Sequence, residues 1–174
     1  MTENLGNIQS RSNIIRFITY GIIAMILTIV HLVFLDFLSF GGVSPDLLLL
    51  LVIWITMHEG QFIGLFFGFG IGLFLDIVSI DVVGTNALAK TVAAFVAGFF
   101  YEEGKTNKIM GNYKFLGIVL LSIFAHNIVY FFFYLKPSEI SFVRFFIRYG
   151  LAATLYTAVF GVFMMFAKMK RKEI

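Results

Sequence analysis

The sequence predicts an all-α integral membrane protein, folded as a single six-helix transmembrane bundle over residues 1–174. Three observations lead to this prediction. First, 60% of the 174 residues are hydrophobic and 13% are charged, whereas a soluble domain has about 25% charged residues. Second, long apolar runs alternate with short polar segments. Third, one apolar run carries glycine at every fourth position, a spacing that lets transmembrane helices pack closely.

The first two helices differ in how well they fit the bilayer. The apolar run from about 14 to 38 is too long for the hydrophobic region of a signal peptide, so we interpret it as the first helix. Ser44, Pro45 and Asp46 form a strong helix start, with a capping hydroxyl, a first-turn proline and an acid at the positive end of the helix dipole. The second helix, about 45–57, is only about 20 Å long, short of the ~30 Å hydrocarbon core.

Polar turns separate the remaining helices. The longest internal polar stretch is 102–114, and Lys136 to Glu139 form a second break in the apolar pattern. An amphipathic segment follows that break and is typical of a helix at the membrane surface. The predicted ranges are about 62–80, 85–101, 115–135 and 149–167 for the third to sixth helices, and about 140–148 for the surface helix.

Basic residues indicate the orientation of the bundle. Nine lie in the N-terminal tail, the 102–114 loop and the C-terminal tail, and three lie in the segments between spans on the other side. The positive-inside rule therefore predicts that both termini are cytoplasmic. Because these residues flank apolar spans, the net charge of +3 indicates lipid contact and no nucleic-acid partner.

A glycine series marks the third helix as a packing surface. Gly60, Gly64, Gly68 and Gly72 share one four-residue spacing, and each interior glycine costs a helix about 1 kcal/mol relative to alanine in water. Close backbone contact offsets that cost in lipid. The series is therefore predicted to pack against a neighbouring helix of the bundle or to form a groove for a partner helix.

Five polar residues are predicted to form a buried cluster in the outer half of the bundle. The rise per residue places His31, Asp76, Lys90 and Tyr130 at similar depths, and His126 lies four residues before Tyr130 on the same predicted helix. A charge facing lipid at a helix centre costs about 2.5–3.5 kcal/mol, so we expect Asp76 to pair with Lys90 from the next helix. Two interpretations of the cluster stay open, a structural ion pair and a ligand-binding or signalling site.

No enzymatic signature is found in the chain. It has no cysteine for a disulfide, a thiolate metal site or a nucleophile. His58-Glu59 lacks the second histidine of the zinc-protease helix, and neither a Gly-x-Ser-x-Gly elbow nor a phosphate-binding loop is present. We therefore predict a protein that is not an enzyme, without catalytic residues, cofactor or metal.

One stretch, about 35–97, carries four motifs in a fixed order. They are Pro45-Asp46-Leu47 opening the second helix, the glycine series, Leu73-Phe74-Leu75-Asp76, and Gly84-Thr85-Asn86-Ala87-Leu88. In this order the motifs resemble the MreD family of rod shape-determining membrane proteins. The resemblance implies a bundle similar to the substrate-binding subunits of vitamin (ECF-type) transporters. It also implies a multi-pass protein of the bacterial inner membrane that needs no cofactor.

The function implied by the resemblance is that of a non-enzymatic component of the cell-wall elongation complex. Such a protein binds an MreC-like bitopic membrane protein and helps couple MreB filaments to RodA and a penicillin-binding transpeptidase during peptidoglycan synthesis. The alternative is a substrate-binding subunit of a vitamin or metal transporter, with the buried polar cluster as its pocket. The first helix lacks the Ala-x-x-x-Ala pattern with which such subunits often dock their energising partner.

Overall fold

The apolar runs of the sequence form helices in the computed structural model, which describes residues 2–34, 43–79, 82–134 and 142–170. The helices are α1 (Thr2–Phe34), α2 (Leu47–Glu59), α3 (Gln61–Ser79), α4 (Thr85–Gly98), α5 (Thr106–Met110), α6 (Tyr113–Tyr134), α7 (Phe142–Phe145) and α8 (Leu151–Lys170), with a π-helical segment, Phe146–Gly150, between α7 and α8. The all-helical prediction is confirmed for the described residues.

Four helical segments are long and apolar enough to cross a bilayer, as expected of an α-helical membrane protein. They are Asn13–Val33 in α1, Gln61–Ser79, Tyr113–Phe133 in α6, and Phe146–Phe166, which includes most of α8. The sequence predicted six spans. Two of the six, α2 with 13 residues and α4 with 14, are not among the four, so a bundle of six spanning helices is not confirmed.

The short helices α2 and α4 lie inside the bundle. From Leu48 to Met57, every α2 residue except Trp54 is buried, and α2 contacts α1, α3, α4, α6 and α8. A helix that is apolar all round is one that is covered on all sides. Most of the buried residues of α4 are alanines. α2 is as short as predicted, whereas α4 ends at Gly98 and not near residue 101. Burial within the protein permits both short lengths, because neither helix needs a lipid-facing surface of full bilayer length.

The helix boundaries differ from prediction where polar residues continue a helix. α1 begins at Thr2 and not near residue 14, because hydropathy detects only the apolar part of a helix. The polar stretch after α4 contains α5, which was predicted as loop. The surface segment is α7 followed by the π-helical segment. The predicted ends near residues 38, 80 and 135 lie outside the described residues.

The glycine series brings α3 against α4, the helix pair with the most extensive contact. A Cβ atom added at Gly68 would lie 2.9 Å from the Lys90 carbonyl oxygen, and one at Gly72 would lie 2.5 Å from Ala87 Cα. Gly64 meets the side chain of Thr56 on α2. These three glycines are therefore covered by helices of the same chain.

Gly60, the first member of the predicted series, has a different role. It lies at the corner between α2 and α3 with φ of +96°, a backbone conformation that L side chains rarely adopt. Its amide donates to the Thr56 carbonyl and closes the end of α2. The predicted series thus divides into one corner residue and three packing residues.

We expect alanine at Gly72 to lower the free energy of unfolding by roughly 1–3 kcal/mol, because the added methyl group meets the α4 backbone. The matched control is Gly70→Ala on the same helix, where a Cβ atom has no neighbour within 4 Å. That change should be neutral or stabilise by up to about 1 kcal/mol through helix propensity. Denaturant unfolding in detergent measures both, and equal effects would contradict the packing.

Candidate functional site

Buried polar side chains from α4, α6, α8 and the residue before α2 meet at one end of the bundle. Their hydrogen bonds connect the start of α2 to α4 and α8, and α6 to α8. We call this set the polar cluster; its members are Asp46, Asn86, Lys90, His126, Asn127, Thr154 and Thr157. Sequence reasoning placed Lys90 and His126 in such a cluster and expected Asp76 as the acid.

The Lys90 ammonium is the buried charge at the centre of the polar cluster. Its side chain is fully buried, and Nζ donates to Asp46 Oδ2 at 2.6 Å and to Asn86 Oδ1 at 3.0 Å. A fully buried ammonium is tolerable only when a counter-charge and hydrogen-bond acceptors replace its hydration. Asp46 supplies the charge, so the predicted Asp76–Lys90 pair is wrong.

Asp46 connects three helices through three different groups. Its Oδ1 accepts the amide N–H of Leu49 at 2.8 Å and caps α2, its Oδ2 binds Lys90 on α4, and its own N–H donates to Thr157 Oγ1 on α8 at 3.1 Å. The side chain is 18% exposed, which makes it the most accessible charged group of the polar cluster. The sequence predicted Ser44 as the capping residue and Asp46 as an acid of the first turn, whereas Asp46 itself is the cap. The role of Asp46 as the counter-ion was not predicted.

Asp76, near the end of α3, binds backbone amides, and it forms no ion pair with the described residues. Its carboxylate accepts the N–H groups of Gly84 at 2.9 Å, Asn86 at 3.0 Å and Ala87 at 3.1 Å. Gly84, the N-cap residue of α4, has no side chain to cap the helix, so Asp76 satisfies the free amides of the first turn. Three donors and the positive end of the α4 dipole compensate the buried carboxylate. This explains why Asp76 does not need Lys90.

On α6, His126 and Asn127 extend the polar cluster toward α8. Asn127 Nδ2 donates to Thr154 Oγ1 at 2.9 Å and to the Gly150 carbonyl at 3.3 Å. His126 Nδ1 lies 3.2 Å from Asn127 Oδ1, and His126 Nε2 lies 3.8 Å from Asp46 Oδ2. Asn127 therefore makes the α6–α8 hydrogen bonds, and His126 faces the ion pair.

The other predicted site residues lie at the edge of the polar cluster. The Tyr130 ring stacks on the His126 ring with centroids 5.8 Å apart. His31 on α1 lies within electrostatic range of the Asp46 carboxylate. Of the predicted residues, the structure thus brings Lys90 and His126 into contact with one carboxylate, with Tyr130 and His31 beside them.

An apolar groove lies between α1 and α3, on the outside of the bundle. Its volume is about 440 Å³. Gly21 and Gly70 line the groove, and a Cβ atom added at either glycine would have no neighbour within 4 Å. The remaining lining residues are Ala24, Met25, Phe66, Phe67, Ile71 and Phe74. The segment in α1 is the most exposed of the four long segments, since only 11% of the residues in its apolar stretch are buried.

The chemistry available to the polar cluster is charge pairing and hydrogen bonding. Within the described ranges, no three His, Asp or Glu side chains come together as metal ligands. Most donors and acceptors of the polar cluster are used on one another, which connects helices. Comparisons of the chain with protein-family models, curated proteins and solved structures found no match.

A double-mutant cycle tests the ion pair. Asp46→Asn keeps a good capping residue for α2, and Lys90→Met removes the ammonium at similar volume. Each single change leaves an uncompensated buried group, so the double variant should recover stability, with a coupling energy of about 0.5–3 kcal/mol in denaturant unfolding. The exposed Glu102–Lys105 pair, treated in the same way, should show no measurable coupling. Additive effects at Asp46 and Lys90 would contradict the pairing.

Proposed function

We propose that the protein is a non-enzymatic scaffold of the cell-wall elongation complex, related to the MreD family. In this proposal it binds the transmembrane helix of an MreC-like bitopic protein and, through it, helps couple MreB filaments to RodA and a penicillin-binding transpeptidase. It lies in the bacterial inner membrane with both termini cytoplasmic. The arrangement of its six longest helices is proposed to be similar to that of vitamin-transporter (ECF-type) substrate-binding subunits.

The proposal rests on one observation: the buried polar groups bind one another and the backbone of the same chain. Lys90 is fully buried and binds two acceptors of the same chain, and Asp76 binds three amides of the same chain. A ligand pocket would need such groups to face a cavity. Here they fix α2, α3, α4 and α8 relative to one another, which is what a protein that transmits contact requires.

The groove between α1 and α3 supports a helix as the binding partner. The glycines of α3 that face inward are covered by α2 and α4, whereas Gly70 faces outward beside Gly21. Small residues let a second helix approach closely in lipid, where van der Waals packing drives association. Aromatic side chains such as Phe66 and Phe74 border the open glycines and would pack along a partner helix.

Filling the groove should separate partner binding from folding. Gly70→Leu adds a side chain where the chain itself leaves open space, so the variant should fold while its co-purification with an MreC-like protein falls at least about tenfold. The matched control is Gly117→Leu on α6, a second glycine with no neighbour within 4 Å of an added Cβ. The readouts are the amount of partner recovered from membranes and the rod shape of cells that carry each variant.

Two outcomes would contradict the proposal. Equal partner recovery with Gly70→Leu and Gly117→Leu would exclude the groove as the binding surface. Recovery of a pair of ATPase subunits, with no MreC-like protein, would instead identify a transporter substrate-binding subunit.

A further inference from the structure

We infer that His126 is a proton-operated switch: a proton taken up at Nε2 displaces Lys90 from Asp46 and loosens the start of α2. The inference rests on the hydrogen-bond geometry around His126 and does not depend on the proposed function. It concerns the one charged contact of the polar cluster that is close but not hydrogen-bonded, His126 Nε2 to Asp46 Oδ2 at 3.8 Å.

The neighbours of His126 determine which ring nitrogen carries the proton. The Gly150 carbonyl can only accept, so the amide nitrogen of Asn127 must face it, and Thr154 also donates to that carbonyl. Asn127 Oδ1 is therefore the atom that faces His126 Nδ1, at 3.2 Å. An oxygen acceptor requires a donor, so the neutral ring carries its proton on Nδ1. Nε2 is left with a lone pair.

That lone pair faces the ion pair without a hydrogen bond. Nε2 is buried and has no hydrogen-bond partner among the described residues. Asp46 Oδ2 is also an acceptor, so the two atoms cannot bond to each other while the ring is neutral. A proton on Nε2 would convert this acceptor pair into a donor and a carboxylate. The geometry therefore favours proton uptake at this atom over any other on the ring.

Proton uptake changes the charge balance of the cluster. The groups that face His126 are Asp46, Lys90, the Tyr130 ring and, near Asp46, His31. With a neutral ring, one carboxylate balances one ammonium. With a charged ring, two cations face the same oxygen of Asp46. Asp76 cannot supply a second counter-charge, because its carboxylate is bound to three backbone amides. One cation is then uncompensated in the interior, which the fold relieves by opening.

The opening would begin at α2. Asp46 caps α2, binds α4 through Lys90 and contacts α8 through Thr157, so losing the Lys90 contact frees the first turn of α2 from α4 and leaves Thr157 to hold it. The Asp46 side chain is 18% exposed, so the polar cluster reaches the protein surface at this residue. Acidification on that side of the bundle would therefore loosen the attachment of α2 to its neighbours.

The test uses the unmodified chain first. Histidine carbon-13 NMR in lipid nanodiscs follows the three histidines while hydrogen exchange follows the amides of residues 47–51. We expect the Nδ1–H tautomer of His126 at about pH 7.5. As the pH is lowered from about 7.5 until the carbon-13 shifts show that His126 is charged, protection of the α2 start should fall at least about tenfold after correction for intrinsic exchange. The fall should follow His126 protonation.

His126→Asn supplies the variant, since asparagine cannot titrate, and its exchange should no longer depend on pH in this range. His58→Asn is the matched control, because His58 lies at the far end of α2 with Nδ1 near the Trp54 carbonyl; it should behave as the unmodified chain. An Nε2–H tautomer at neutral pH, unchanged protection once His126 is charged, or an unchanged pH response in His126→Asn would each overturn the inference. The tautomer result stands even if the variant fails to fold.

Discussion

The need to compensate one buried ammonium organises the end of this bundle where α2 and α4 begin. Lys90 has no exposed side-chain surface, so its charge must be balanced by groups of the protein. Asp46 meets that need, and because Asp46 also caps α2 and binds Thr157, the ion pair holds the start of α2 against α4 and α8. A short central helix that is buried along most of its length can thereby keep a defined position.

The same region depends on the close approach of α3 and α4. Glycines at 68 and 72 let the α4 backbone come into direct contact with α3, and this approach brings the first-turn amides of α4 within reach of Asp76. The carboxylate then fixes how α4 begins and hence where Lys90 points. Packing and electrostatics are therefore coupled: a larger residue at 72 would disturb both the helix contact and the cap.

The sequence predicts most of the helices, since they follow from hydropathy, and it predicts that Lys90 and His126 share a buried cluster. It does not predict which acid pairs with Lys90. Asp46 and Asp76 are both candidates from the sequence, and only the packing of helices around one another decides which carboxylate faces the ammonium. The weak cap residue Gly84, eight positions after Asp76, is a signal that α4 needs an external cap. The length of α4 is overestimated from the sequence because burial within protein permits helices shorter than the bilayer, whereas the short length of α2 is predicted correctly.

These features support the proposal of a scaffold whose interior is fixed by its own polar groups and whose outer groove between α1 and α3 is proposed to bind a partner helix. The central claim is that Asp46, and not Asp76, neutralises Lys90. A high-resolution experimental structure in a lipid environment at neutral pH tests it most directly. The account predicts the Lys90 ammonium on Asp46 Oδ2 and the Asp76 carboxylate on the amides of Gly84, Asn86 and Ala87. A Lys90 ammonium bound to Asp76, with α4 uncapped, would contradict it.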